Sequence, residues 1–426
     1  MKIYKGHLLF TPTRNEFRVI ENGYVAVSDG RIVGVSSQLN HFDCTNAELV
    51  DLGDRLVIPA MCDMHVHAPQ YRNQGVCMDY ELLTWLNTYT FPEEEKFADT
   101  TYAERIYRRF VHALWRMGTM RAAVFATIHG DSTRILMRLF QEAGMGALVG
   151  KVDMDRNCPD ALCETVDEAI IANEALIAEY SDPNALVRPI ITPRFVPSCT
   201  PAMLHACGQL AQRHNLPVQS HLSENRDEIA LVRKLEPTST CYGDAYNRYG
   251  LFGQTPTLMA HCVYSTDEEI ELMRQGGVMA VHCPTSNLNI ASGMSPVRTL
   301  LDRGVRVSLG SDISGGHDLS MFRVMVYALQ VSKLASVTLG VKPQLTLPEV
   351  FWCATKSAGS FFGRLGSFEP GYEFDALVID DSDLNFDHYT LLQRLERFIY
   401  LGDDRHIVHR YCRGMEVPEP KLSHDE

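Results

Sequence analysis

Strand-like and helix-like stretches alternate along most of this 426-residue chain. Apolar runs that favour β-strands are separated by stretches with the apolar spacing of amphipathic helices, such as Ala103–Trp115 and Thr165–Ile177. The runs end at His67, Ile128, Met154, Val196, His221, His261, His282 and Asp312. Eight β/α units over about 300 residues predict an α/β fold of the (β/α)8 TIM-barrel type. The alternative is an open doubly wound sheet, but no Gly-x-Gly-x-x-Gly motif follows a strand-like run.

The two ends of the chain have a different, β-rich pattern. Residues 23–34 predict a hairpin with Asp29-Gly30 at its turn. Similar patches return at 374–379 and 407–414. We therefore expect both ends to form one small β-sandwich domain beside the barrel. The expected boundaries are 1–62 with 370–426 for the small domain, and 63–369 for the barrel.

The charge balance is acidic, because 39 Lys and Arg against 53 Asp and Glu give a net charge of −14. Without a basic run, such a chain is unsuited to nucleic acid or an anionic membrane surface. We expect no signal peptide and no membrane span, since no apolar run reaches the roughly 18 residues that a transmembrane helix needs. The twelve cysteines are scattered and form no Cys-x-x-Cys pair, which is typical of reduced thiols in a cytoplasmic protein.

Histidines and an aspartate stand where predicted strands end. His65 and His67 lie two positions apart, so on a strand their imidazoles share one face. His221 and Asp312 end the fifth and eighth predicted strands, and active sites of such barrels lie at the carboxyl ends of the strands. Three imidazoles and one carboxylate, with room for water, predict a catalytic Zn²⁺ site.

Other polar residues near these strand ends leave alternatives open. His261 and His282 compete with His221 as the third nitrogen ligand, although His282 is more simply explained as structural. Glu224, three residues beyond His221, could be a carboxylate at a helix start, since Asn225 also favours such a position. Beside a metal it would instead suit a general acid and base.

Several ordered segments are similar to one known family. These segments are Asp63–Tyr71, Glu81–Pro92, Phe125–His129, Thr192–Phe195, Ser220–Glu228, His282–Asn287 and Leu401–Arg405. Together with the strand-end histidines and aspartate they resemble the amidohydrolase superfamily and, within it, the guanine deaminase family. The resemblance covers most of the chain, and no metal or acid/base position departs from the family pattern.

The resemblance implies roles for the candidate catalytic residues. It implies one Zn²⁺ per subunit, with iron as the alternative metal, bound by His65, His67, His221 and Asp312. Glu224 would shuttle protons, His261 would hydrogen-bond the attacking water, and Asp312 would accept the proton of that water.

The resemblance also places Gln70, Arg194 and Phe195 around a purine. The Arg194 guanidinium is a rigid donor fork that suits a carbonyl oxygen such as O6 of guanine. Phe195 offers an aromatic wall, and Gln70 offers a donor and an acceptor. The remaining residues implied to contact the substrate are His67, His221, Glu224 and Asp312. Without the resemblance, a surface ion pair, a core phenylalanine and a loop glutamine would be the simpler interpretations.

The implied activity is zinc-dependent hydrolytic deamination of guanine to xanthine and ammonia, in purine catabolism or salvage, by a homodimer. An enzyme that deaminates another aminopurine, a pterin or a triazine is the first alternative. A barrel without catalytic activity that serves as an assembly scaffold is the second, although such a protein would usually have lost ligands.

Overall fold

The structure is a computed structural model that describes residues 1–386 and 389–422. The strands within these residues are β1 Lys2–Thr13, β2 Glu16–Ser28, β3 Arg31–Ser36, β4 Glu48–Pro59, β5 Met61–His67, β6 Thr119–Phe125, β7 Gly146–Gly150, β8 Val152–Asp153, β9 Val187–Pro189, β10 Thr192–Pro193, β11 Val218–Leu222, β12 Thr257–His261, β13 Met279–His282, β14 Arg306–Leu309, β15 Ala376–Ile379, β16 Ile407–Cys412 and β17 Met415–Glu416.

Helices connect most of these strands. They are α1 Leu82–Trp85, α2 Phe91–Glu94, α3 Thr100–Arg116, α4 Gly130–Ala143, α5 Val166–Glu179, α6 Pro201–His214, α7 Arg226–Leu235, α8 Tyr242–Asn247, α9 Asp267–Gly276, α10 Pro284–Asn289, α11 Val297–Asp302, α12 Met321–Leu339, α13 Leu347–Trp352 and α14 Leu391–Leu401. Among the described residues, no helix combines the length and the apolar character needed to cross a membrane.

Two four-stranded parallel sheets, β5-β6-β7-β9 and β11-β12-β13-β14, form the barrel. On one side Ile191, just beyond β9, pairs in parallel with Val218 of β11. On the other side the Asp312 amide donates to the His65 carbonyl at 2.8 Å, and the His67 amide donates to the Ile313 carbonyl at 3.0 Å. These contacts close the two sheets on each other, which confirms the predicted (β/α)8 barrel and rules out an open sheet.

Several observed barrel strands end earlier than the apolar runs suggested. Ile128 and Met154 lie beyond β6 and β8, where they pack with Trp85 and Phe91 in one hydrophobic cluster. Val196 begins a 3-10 turn instead of ending a strand. Residues that pack over the mouth of the barrel are as apolar as strand residues, although they do not pair with a neighbouring strand. A sequence pattern does not distinguish these two kinds of residue.

The two chain ends share one seven-stranded sheet with the order β17-β16-β15-β4-β1-β2-β3. This confirms the predicted composite β domain, whereas its exact boundaries stay a prediction. The predicted hairpin is also confirmed, since β2 and β3 pair antiparallel across Ser28 and Arg31. Asp29 and Gly30 both have positive φ, 51° and 75°, as a two-residue turn of this kind requires.

Arg121 ties the barrel to this sheet. It lies in β6, and its Nε donates to Oδ2 of Asp375, next to β15, at 2.6 Å. Its Nη2 donates to Asp375 Oδ1 at 3.2 Å and to Glu373 Oε2 at 2.8 Å. Arg121 and Asp375 are both buried, so the junction contains a desolvated ion pair.

Candidate active site

His65 and His67 end β5 with both imidazoles buried at the carboxyl end of the barrel. The Phe125 ring, at the end of the neighbouring β6, packs against them with ring centroids 4.9 Å and 4.6 Å away. The pleat of the strand directs residues i and i+2 to the same side, which accounts for the pairing predicted from sequence.

Asp312 follows β14, the last strand of the barrel, and its carboxylate lies beside this pair of histidines. Its Oδ1 lies 3.2 Å from His65 Nε2 and 3.4 Å from His67 Nε2. The backbone bonds that close the barrel place it there, and its φ of +49° turns the chain sharply after β14. A non-glycine residue in this left-handed region is sterically disfavoured and is held there by its surroundings.

His221, at the end of β11, completes the cluster. Its Nδ1 lies 2.6 Å from the Arg194 carbonyl oxygen, which accepts only from a protonated nitrogen. In the neutral ring the lone pair is therefore on Nε2, which lies 3.2 Å from His67 Nε2. Two ring nitrogens this close, beside a carboxylate, form a donor set that suits a cation.

The charge states of these groups also suit a metal ion. Burial lowers the pKa of His65, and burial together with neighbouring imidazoles lowers the pKa values of His67 and His221 well below the ordinary range. Neutral imidazole is the form that binds metal. His65 Nε2 is buried 3.2 Å from Asp312 Oδ1 and makes no well-aligned hydrogen bond to any described residue, so this nitrogen is available to a metal ion. The residues present therefore fit Zn²⁺.

Two overlapping groups of possible ligands occur among the described residues. The ligand atoms of His65, His67 and Asp312 lie within 4.8 Å of one another, and the same holds for His65, His221 and His261. His282 is in neither group within the described part of the chain. Burial lowers the pKa of His282 to about 3, which keeps it neutral in the core.

Glu224 faces His261 across the same space. Its Oε2 lies 3.5 Å from His261 Nε2, and Asp312 Oδ2 lies 3.7 Å from the same nitrogen. His261 Nδ1 is 2.9 Å from Asn287 Oδ1, which fixes the orientation of the ring. Burial, reinforced by the nearby Glu228 carboxylate, raises the pKa of Glu224 well above its ordinary value.

The structure separates Glu224 from the helix-capping role that the sequence left open. Asn225 and Glu228 form the capping box of α7, with the Glu228 carboxylate accepting from the Asn225 amide at 3.2 Å. Glu228 also accepts from the Glu224 amide at 3.0 Å. The Glu224 side chain is thus left to face the cavity while its backbone is held.

One cavity brings the predicted substrate and acid/base residues together. Gln70, Arg194 and Phe195 line it, each of them buried, and so do His67, His221, Glu224, His261 and Asp312. His65 lies behind the lining. An apolar wall that was not predicted faces these polar groups, and it consists of Leu82, Trp85, Leu86 and Ile290.

Glu94 is a buried residue of this site that sequence reasoning missed. Its Oε1 accepts from Gln70 Nε2 at 2.9 Å and from Arg194 Nη2 at 3.1 Å, and its Oε2 accepts from Arg194 Nη1 at 2.6 Å. The sequence offers only a weak signal, because Glu94 stands in a run of three glutamates that suits a solvated helix face equally well.

Comparison with known proteins gives one consistent family. The amidohydrolase family matches residues 56–417 of this chain. A guanine deaminase of Dictyostelium discoideum is 35% identical, and the match covers 98% of each chain. A guanine deaminase of Rattus norvegicus is 38% identical over 97% of this chain and 96% of its own.

A solved structure extends the match to three dimensions. The crystal structure of guanine deaminase from C. acetobutylicum with bound guanine in the active site is 51% identical and superposes with a TM-score of 0.96, covering 98% of this chain and 100% of that one. The chain therefore belongs to the amidohydrolase family and, within it, to the guanine deaminases.

Proposed function

We propose that this protein catalyses the hydrolytic deamination of guanine to xanthine and ammonia. The observation that carries the proposal is that a buried histidine and aspartate cluster, an acid facing it and a paired arginine share one cavity. The family to which the chain belongs supports the same substrate.

The proposed metal is Zn²⁺, held by His65, His67, His221 and Asp312. When bound, the ion would lower the pKa of a water molecule and so supply a nucleophile at neutral pH. His221 is preferred to His261 as the third nitrogen ligand because its Nε2 is 3.2 Å from His67 Nε2. Elemental analysis of purified protein distinguishes zinc from iron.

The side chains of the cavity supply the proton transfers. Glu224 donates a proton to N3 of guanine, which makes the adjacent C2 electrophilic. The oxygen of water then bonds to C2, while His261 orients this water and Asp312 takes its proton. Glu224, now a carboxylate, takes the proton of the new C2 hydroxyl and passes it to the amine, and the C2–N bond breaks as ammonia leaves. Asp312 then returns its proton to Glu224, which restores the acid.

Arg194 and Phe195 account for the choice of base. Donors of the Arg194 guanidinium would hydrogen-bond O6, and an exocyclic amine at C6, as in adenine, cannot accept that bond. Phe195 provides an apolar wall for the planar ring, and Gln70 provides a further donor and acceptor for its edge.

An ammonia-release assay on guanine, adenine, isoguanine, 8-oxoguanine and pterins tests the proposal. We expect guanine to have the highest kcat/KM. A clear preference for another aminopurine or a pterin would make that compound the substrate in place of guanine. Protein that contains no metal and is inactive on all of these compounds would favour the scaffold alternative.

The homodimer is also a proposal, which light scattering of the purified protein would test.

A further inference from the structure

Three elements that are distant in sequence meet at the Glu94 carboxylate. Gln70 follows β5, Glu94 ends α2 and Arg194 follows β10, so the contacts join residues 24 and 100 positions apart. All three side chains are buried, with exposures of 2%, 2% and 3%. Gln70 and Arg194 line the cavity, whereas Glu94 is not in its lining. Glu94 can therefore act on a bound base only through the other two.

These contacts determine which donors remain for a ligand. Glu94 engages two of the five N–H donors of the Arg194 guanidinium and leaves the other three. Gln70 is held at both ends, since its Oε1 also accepts from the Ser314 amide at 3.0 Å. The Phe91 ring lies 5.1 Å from the centre of the guanidinium and supports it from one face.

The same contacts set the charge of the cavity wall. A buried guanidinium without a partner is strongly destabilised, and Glu94 neutralises it. The pair offers hydrogen-bond donors without a net charge. Such a wall suits a neutral carbonyl oxygen and is less suited to an anionic group.

We propose that Glu94 is a positioning residue that sets the preference for a purine with an oxygen at C6, by holding Arg194 and Gln70 in place. The proposal rests on the proposed function, because the carbonyl in question is O6 of guanine.

The first test compares guanine with 2-aminopurine, which keeps the amine at C2 and lacks O6. Glu94→Gln keeps the shape but removes the charge, so kcat/KM for guanine should fall about tenfold or more. The value for 2-aminopurine should change less than about threefold. Glu94→Asp, which keeps the charge, should restore part of the preference. Equal losses on both substrates would reduce Glu94 to a purely structural role and overturn the proposal.

A double-mutant cycle gives a second test, which remains possible if the single variant Glu94→Gln does not fold. In an Arg194→Met background the Glu94→Gln change leaves no buried unpaired charge. If Glu94 acts through Arg194, adding Glu94→Gln to Arg194→Met should change the guanine to 2-aminopurine ratio by less than about twofold. A further loss of about tenfold in the ratio would show that Glu94 does not act through Arg194, the residue proposed to donate to O6, and would contradict the proposal.

Binding without turnover separates this proposal from the proposed function. Hypoxanthine has O6 but no amine at C2, and unsubstituted purine has neither. We expect wild-type protein to bind hypoxanthine with a lower Kd than purine. In Glu94→Gln the ratio of the Kd for purine to the Kd for hypoxanthine should fall about tenfold. An unchanged difference would refute the role of Glu94. Absence of ammonia release from guanine by the wild type would refute the proposed function itself.

Glu93 offers a matched control on the same helix. It is also buried, but it pairs with Lys96 at 2.7 Å and with Arg72 at 3.6 Å instead of with Gln70 and Arg194. Glu93→Gln should leave the guanine to 2-aminopurine ratio unchanged even where it lowers the melting temperature. A change in the ratio equal to that of Glu94→Gln would show that the effect is not specific to Glu94.

Discussion

Neighbouring acidic residues of this chain have different tasks, and only their contacts tell them apart. Glu228 caps α7 and holds the backbone of Glu224, while the Glu224 side chain faces His261. Glu93 pairs with Lys96, while the adjacent Glu94 pairs with Arg194 of the cavity wall. At the scale of single residues, the direction of a side chain matters more than its position in a motif.

The ligand assignment predicts a loss of metal when His65 is removed. His65→Ala deletes one of two imidazoles that share a strand face, so we expect a folded protein with little bound metal and no measurable deamination. Elemental analysis with circular dichroism checks this. His282→Ala, which removes the competing histidine, should leave stoichiometric metal. Normal metal content and a normal rate in folded His65→Ala would contradict the assignment.

Acid and base catalysis is separated from metal binding by Glu224→Gln. Glutamine keeps the size and hydrogen bonding of the side chain but carries no transferable proton, so kcat should fall at least about a hundredfold, the usual scale for a positioned acid or base. The metal content should stay stoichiometric. Asp227→Asn removes a carboxylate from an exposed position of α7 and serves as the control. Near-native turnover of Glu224→Gln would remove this residue from the mechanism.

At the scale of elements, residues 82–98 form a short helical segment that covers one side of the cavity. Trp85 and Leu86 supply its apolar wall, and Glu94 supplies the polar anchor to Arg194. Its apolar side chains pack with Phe125 and Met154 at the mouth of the barrel. This segment therefore joins the apolar and the polar half of the site.

Trp85 tests the importance of that wall. Burial of a large apolar side chain contributes about 1.5–3 kcal/mol, so Trp85→Ala should raise KM for guanine about tenfold or more by exposing the cavity to water. Steady-state kinetics and thermal melting measure the effect on binding and on folding. Trp352→Ala, a half-buried tryptophan of α13, is the matched control and should leave KM unchanged. An equal rise in KM for both variants would mean that general destabilisation, not the wall, is responsible.

At the scale of the whole molecule, backbone bonds between β5 and the residues after β14 close the barrel, and Arg121 joins the barrel to the composite sheet. The first contact also holds Asp312 beside His65, so the bonds that close the barrel are the ones that position this carboxylate in the site. The contacts of Arg121 connect the composite sheet, which both chain ends form, to β6, the strand that pairs with β5.

The Arg121 and Asp375 pair predicts a strong, non-additive effect on stability. Leaving one member of a buried ion pair without its partner costs about 3–5 kcal/mol, so Arg121→Met, which strands the buried Asp375 carboxylate, should lower the unfolding midpoint clearly. Asp375→Asn should lower it less, because Arg121 keeps its contact with Glu373 Oε2 at 2.8 Å. The double variant should lose less than the sum of the two single losses, because no unpaired charge remains. Urea unfolding followed by circular dichroism measures this. Additive losses would mean that the two side chains stabilise the junction separately.

Local patterns along the chain were sufficient to predict the class of fold and the positions of the histidine and aspartate candidates. Alternating strand and helix patterns are local, and the carboxyl ends of parallel strands meet at one face of a barrel. The convergence of His65, His67, His221 and Asp312 therefore follows from their places at strand ends, and the structure brings them together. The turn at Asp29-Gly30 was predictable for a similar reason, since its backbone conformation depends on two adjacent residues.

The other groups around this cluster are brought there by long-range packing. Glu94 meets partners 24 and 100 positions away, and no periodic pattern records such contacts. Ile128 and Met154 have the apolar character of strand residues, and only their place in the hydrophobic cluster that contains Trp85 shows that they lie over the barrel mouth instead. Local patterns specify elements because they depend on neighbouring residues, whereas the cavity wall depends on long-range packing that a linear pattern does not contain.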